Sequence, residues 1–209
     1  MADMFDFGGL LVEEENVSNL QLPDPSLLGY YIDSKERIFY LDDEIDDETT
    51  QLVKTILRIN QEDRGIEPEK RRPIRIFINS IGGDVQVLWS LINVMLLSKT
   101  PIHTIAYCNA LSAAAILLIA GHKRYAIPGS AILIHSGSCS LNGDVEKVES
   151  AKKFYDNLSK KVNAFVLERT TISEKELKRK SSSDWYLTAE EALNYHIVDK
   201  LVDDLDEII

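Results

Sequence analysis

The chain has 209 residues, 44% of them hydrophobic and 27% charged, which suits one soluble globular domain with a sizeable core. Its 34 acidic against 23 basic residues give a net charge of −11, which argues against nucleic acid as the main partner, because phosphate binding needs a basic face. The acid gathers in runs, "VEEENV", "DDEIDDE" and "DDLDEII", that read as solvated surface. The first fifteen residues lack the basic and apolar regions of a secretory signal. The most apolar window, 105–121, carries Asn109 and Ser112 and is marginal for a span of about 20 residues, so no membrane partner is expected. Cys108 and Cys139 follow no metal or disulfide spacing, and a cytoplasmic setting is the default expectation.

Residues 1–28 show no clear periodicity and read as an arm, with one domain expected over 29–209. "RIFYL" (37–41) reads as a strand. Residues 46–62 read as a helix with Leu52, Val53, Ile56 and Leu57 on its inner face, followed by a polar loop over 63–73. Alternating elements follow: strand 74–79, the turn "SIGGD", helix 85–98, strand 102–108, helix 112–121, and strands 124–127 and 131–136. A long amphipathic helix is expected over about 144–170, with Val145, Val148, Phe154, Tyr155, Leu158, Val162 and Phe165 on its apolar side. "SEKE" and "TAEE" match the capping box that opens a helix, and 197–202 reads as a last strand. Strand–helix alternation implies an α/β fold with mostly parallel strands.

Three residues could carry chemistry, and each has a plainer reading. Ser112 opens a buried helix, where serine commonly caps free N–H groups; a nucleophile there would sit beside backbone donors and a positive helix end, which stabilise an oxyanion. His135 ends the strand "AILIH" and is either structural or faces a cleft. Asp184 is either a turn carboxylate or the group that orients a catalytic histidine. The Gly82–Gly83 turn lets backbone approach a ligand and is not a phosphate loop, since no G-x-x-x-x-G-K-[ST] is present.

Together these segments resemble the proteolytic subunit of the caseinolytic (Clp) protease family, from about Tyr30 to the C-terminus. "FINSIGGDV" is similar to that family's "INSPGG", "CNALSAAAILLIAG" to "GxAASMGAxLLxAG", "SAILIHS" to "SRxMIHQP", and "DWYLTAEEALNYHIVDKLV" to "DxxLSAxEAxxYGLVDxI". The resemblance implies a crotonase-like fold of stacked βαβ units with a protruding handle helix at about 137–170. It implies Ser112 as nucleophile, His135 as general base and Asp184 as its orienter, with the N–H groups of Gly83 and Ala113 as the oxyanion hole. Gly83–Val85 and His135–Ser138 would pair with substrate backbone as added strands. No cofactor or metal is implied. The partners implied are other copies of the chain, in heptameric rings stacked to fourteen subunits, an AAA+ unfoldase that spends the ATP, and unfolded protein substrates.

The sequence departs from the family pattern in places. Cys108 and Ala114 stand where glycine is usual, Ile81 replaces a proline, and Ser136–Gly137 replaces Gln-Pro. Ser183 and Trp185 flank Asp184, and the arginine usual beside it is absent. The Asp84 carboxylate would oppose an oxyanion if aimed inward and would cap the next helix if turned outward; the outward position is expected. Two other functions stand beside the peptidase: a regulatory paralogue that co-assembles in the ring, and a crotonase-fold acyl-CoA enzyme.

Overall fold

The structure, a computed structural model, describes residues 5–7, 10–12, 27–138 and 140–209. Within the expected arm, β1 (Phe5–Phe7) pairs antiparallel with β2 (Leu10–Val12), and α1 (Leu28–Glu36) begins at its end; the rest of the arm lies outside the described residues. The chain continues through β3 (Ile38–Leu41), α2 (Thr50–Glu62), β4 (Ile74–Ser80), α3 (Val85–Leu97), β5 (Ile102–Leu111) and α4 (Ala113–Ala120). It ends with β6 (Lys123–Ala126), β7 (Ala131–Ile134), α5 (Val145–Arg169), α6 (Glu174–Lys180), β8 (Trp185–Thr188), α7 (Ala189–Asn194) and β9 (Lys200–Leu201).

Seven of these strands form one sheet in the order β3-β4-β5-β6-β9, with β7 joining β5 and β8 joining β7. All its pairings are parallel except β7–β8. Parallel strands need both faces covered, and the strand compositions agree: Ile74, Ile76 and Ile78 of β4 are fully buried on one face and Phe77 is buried on the other. The larger core gathers the sheet with Ile56 and Ile59 of α2, Leu88, Leu91, Ile92 and Met95 of α3, and all of α4. A smaller cluster on the opposite face joins Phe77, Ile105, Val202 and Ile208.

β5 is longer than its sequence suggests. Its first half pairs with β6 over His103–Ala106, and its second half with β7 over Asn109–Leu111. The ladder with β4 shifts register between Ile78 and Ser80. The Asn79 side chain bridges the irregularity by accepting from the Asn109 backbone N–H at 3.3 Å and its side-chain amide at 3.4 Å. The polar residues of 107–109 mask this continuation from any pattern of alternating burial.

Other departures from sequence expectation have local causes. In α2, Leu57 is 55% exposed and Ile59 takes the inner position, because the buried face of this helix is set by its seat on α3. In α5 the N-terminal half projects from the domain, so Val145 and Phe154 are exposed, and burial is confined to Phe165 and Val166 near its end. "TAEE" forms the full capping box, Thr188 with Glu191, whereas Ser173 makes only its own half. The segment read as a polar loop opens with Asp63, which is 1% exposed. Its carboxylate takes two hydrogen bonds from Arg37, at 2.7 and 2.9 Å, and one from the Thr100 hydroxyl at 2.7 Å. The Arg37 hydrogen bonds hold that carboxyl below its usual range.

Burial, reinforced by the charges of Lys123, Arg75 and His122, pushes His103 down from 6.5 to about 4. The unfolded chain therefore binds a proton there between pH 6.5 and 4 that the folded chain refuses, and stability falls as pH drops through that window. The Asp63 contribution is lost only on further acidification, through its lowered folded value. Thermal denaturation from pH 7 to 4.5 is expected to show a falling Tm. His103→Gln is expected to reduce the slope above pH 4.5 without abolishing it, because burial also holds His122 below its ordinary value, and Asp63→Asn is expected to leave that slope in place.

Candidate active site

Sheet order assembles the site at the carboxyl ends of adjacent strands, where parallel α/β sheets present their chemistry. Leu111 of β5 lies opposite Leu133 of β7, and the Ser112 N–H continues the ladder by donating to the Leu133 carbonyl at 2.9 Å. Ser112 and His135 thus leave neighbouring strands side by side. Ile134 of β7 lies opposite Trp185 of the antiparallel β8, so Asp184 enters β8 beside the point where His135 leaves β7. The Ser136 N–H donates to the Ser181 carbonyl at 2.7 Å and ties the two loops together.

The Ser112 hydroxyl does not cap α4. It lies 2.7 Å from Nε2 of His135. Nδ1 of His135 lies 3.4 Å from the Asp184 carboxylate. A carboxylate only accepts, so Nδ1 carries the proton and Nε2 is left to accept from the serine, a tautomer assigned from these contacts. The aspartate arm is longer than the 2.7–2.9 Å typical, to within about 0.1 Å, of a charge-assisted hydrogen bond. Asp184 is also 59% exposed against 26% for His135, so solvent weakens that contact more than the first.

Ser112 adopts φ 55° and ψ −121°. A non-glycine residue in that region is strained by about 1–3 kcal/mol and persists where its surroundings over-determine it. Three groups do so here: the ladder bond to Leu133, the start of α4, and the glycine turn. Gly82 has φ 101°, and a Cβ there would stand 2.7 Å from the Ser112 Cβ and 2.9 Å from the Ala113 nitrogen. Gly83 has φ 149° and would drive a Cβ into the Ile45 backbone. Only glycine lets the two turns meet.

Ile45 donates to the Gly82 carbonyl and accepts from the Asp84 N–H, both at 2.7 Å. A residue bracketed in this way turns its own N–H away from the partner strand, so the Gly83 N–H faces outward from Ile45. Ala113 is the first residue of α4, and its N–H has no intrahelical acceptor. Asp84 is turned outward: its carboxylate accepts from the N–H groups of Gln86 at 2.6 Å and Val87 at 3.1 Å and caps α3. Ala114 is fully buried, and its methyl packs into the core.

Ser112 and His135 border a cleft of about 380 Å³ together with Gly83 and Ala113, whereas Asp184 does not line it. Gly83, Val85, Ser112, Ala113, His135 and Ser138 line it, so the structure brings the expected site residues together, with Asp184 behind the histidine. The far wall comes from α5, through Tyr155, Leu158, Val162 and Val166. Sequence reasoning placed the first three on an apolar helix face without assigning them to a site, since such a stripe signals burial and says nothing of what is buried. Cys108 is a free, exposed thiol, and Cys139 lies outside the described residues. No helix among the described residues is long and apolar enough to cross a membrane.

A family model described as Clp protease matches residues 30–204. The match sets the class first: a hydrolase, of the serine peptidase kind, on a mostly parallel α/β sheet. The chain belongs to the Clp protease family.

The strain at Ser112 is measurable apart from activity. Glycine tolerates φ 55° and alanine does not, so Ser112→Gly is expected to be more stable than Ser112→Ala by about 1 kcal/mol in urea denaturation. Equal stabilities would mean that the backbone at 112 is relaxed.

Proposed function

We propose that the protein is a serine endopeptidase that cleaves unfolded polypeptides to short peptides. The observation that carries this reading is the Ser112 hydroxyl, 2.7 Å from His135 Nε2 and not used as a helix cap. Ser112 Oγ attacks the scissile carbonyl carbon while its proton passes to His135. The N–H groups of Gly83 and Ala113 receive the oxyanion that develops. Asp184 faces the imidazolium. The protonated His135 then gives its proton to the departing amine, leaving an acyl-ester on Ser112. Water, deprotonated by the same histidine, cleaves the ester and restores the hydroxyl.

The cleft supports an extended substrate. Gly83–Val85 and Gly137–Ser138 present backbone from two sides, and pairing through backbone selects little by sequence. Between them, Leu88, Ile116, Leu158, Val162, Val166 and Leu177 offer an apolar wall for one substrate side chain. Family membership supports self-assembly into stacked heptameric rings and work beside an AAA+ unfoldase, which would consume the ATP and feed the cleft. The exposed Val145 and Phe154 on α5 and Leu28 and Ile32 on α1 are the apolar positions that such assembly would cover.

A fluorophosphonate probe tests the chemistry. Wild-type protein is expected to label at Ser112, Ser112→Ala to lose all labelling, and His135→Ala to label more slowly by a factor on the order of 10³. Labelling that persists in Ser112→Ala removes the nucleophile assignment. An unlabelled wild type in intact rings favours the regulatory reading. Native mass measurement tests the assembly, and a stable monomer would contradict it.

A further inference from the structure

The two halves of the oxyanion site sit on different elements. Gly83 is held by Ile45 in the turn after β4, whereas Ala113 and Ser112 ride on the end of α4. Their separation depends on where α4 stands along its own axis. Its eight residues are all alanine, leucine or isoleucine, and all are buried. Apolar burial is non-directional; close packing opposes large shifts of the helix, and directional bonds to other elements set its fine position. Among the described residues, the hydrogen bonds that tie this helix to other elements lie at its two ends.

At the carboxyl end those bonds come from three donors. The Thr104 hydroxyl donates to the Leu118 carbonyl at 2.7 Å. Arg169 supplies the other two: Nε donates to the Ile119 carbonyl at 2.8 Å, and a terminal nitrogen to the Gly121 carbonyl at 2.6 Å. The Leu118 carbonyl also accepts from the Gly121 N–H at 3.3 Å, whereas Arg169 serves the Ile119 and Gly121 carbonyls at an end whose last acceptors lack helical donors, with a cation where the helix dipole favours one. Arg169 is also the last residue of α5, the helix that walls the cleft. Its guanidinium lies 5.7 Å from the centre of the Phe165 ring. Its own carbonyl accepts from Arg124 at 2.8 Å, and Arg124 is in turn gripped through its backbone N–H and side chain by Asp199. One arginine therefore closes α5, and the residue it closes on clamps α4.

We infer that Arg169 is a positioning residue of the site: it fixes α4 along its axis and thereby sets where Ser112 and the Ala113 N–H stand relative to Gly83. An eight-residue helix spans about 12 Å and moves as a rod, so displacement at Gly121 arrives at Ala113. Misplacement of about 1 Å at a reacting centre can cost on the order of 10²-fold in rate. The inference rests on the peptidase reading for its kinetic consequence only; the mechanical link stands without it.

The test compares Arg169→Met, Arg169→Lys and Ile59→Ala, a core truncation remote from the site. Each is assayed on a peptide ester, with rates divided by the Ser112 sites titrated by fluorophosphonate, and amide exchange is followed at Ala115 and Ile116. Both of those N–H groups bond the Ser112 carbonyl. Arg169→Met is expected to lose about 10–100-fold in kcat per titrated site with KM within about twofold, Arg169→Lys to recover part of it, and both to exchange faster at Ala115 and Ile116. Ile59→Ala is expected to lower Tm and leave kcat per site unchanged. Should Arg169→Met not fold, Arg169→Lys decides by the same readings. Wild-type kcat per site in the arginine variants, or faster exchange confined to residues 119–122, overturns the inference. If wild type neither labels nor hydrolyses, the peptidase reading falls, and exchange at Ala115 and Ile116 alone decides this one.

Discussion

Strand β5 changes partners halfway along, and the site depends on it. Over His103–Ala106 it belongs with β6; over Asn109–Leu111 it belongs with β7. Without the change of partner, β7 would have no parallel neighbour in the sheet, and His135 would not leave its strand beside Ser112. The antiparallel return of β8 then delivers Asp184 to the same edge. At the register shift against β4, the Asn79 side chain gives the Asn109 N–H the acceptor that the irregular ladder does not.

Around that strand the molecule divides its resources unevenly. α4 contributes eight buried apolar residues, each worth about 1–3 kcal/mol or less according to size, and places a strained serine at its tip. Burial on this scale is what allows a residue at φ 55° to persist. The solvent-facing part of the site is looser. Asp184 lies on an exposed loop and meets His135 at 3.4 Å, so the serine–histidine contact is set by sheet hydrogen bonds and the histidine–aspartate contact by loop position. The cleft has the same character, with a floor on rigid strands and a wall on α5, whose N-terminal half stands away from the domain core.

Most elements were legible because burial and local chemistry pointed the same way. The capping box at Thr188, the helix over Ala113–Ala120 and the strand over Ile74–Ser80 each follow from patterns a few residues long. Legibility failed where a partner remote in sequence decides the environment. Leu57 and Ile59 both suit an inner helix face, and only the seat of α2 on α3 selects Ile59. Asp63 looks like a loop residue until Arg37 and Thr100 arrive from 26 and 37 residues away. The apolar stripe of α5 was read correctly as a stripe, yet Val145 and Phe154 are exposed in the single chain and of the seven residues expected on it only Phe165 is buried, because a projecting helix has no core to bury against.

The sequence by itself determined the types and order of most elements from β3 onward but not β1, β2 or α1, the mostly parallel α/β class, and the identities of the serine, histidine, aspartate and glycines that could form a site. Those properties reside in local propensity, turn chemistry and spacing. Only the tertiary structure decided what each group does there. It turned the Ser112 hydroxyl away from capping and toward His135, turned Asp84 outward onto α3, buried the Ala114 methyl in the core, and set Arg169 against the far end of the helix that carries Ser112 at its tip. A side chain's direction follows from the strand pairing and packing that surround it, and those contacts span tens of residues that no short pattern contains.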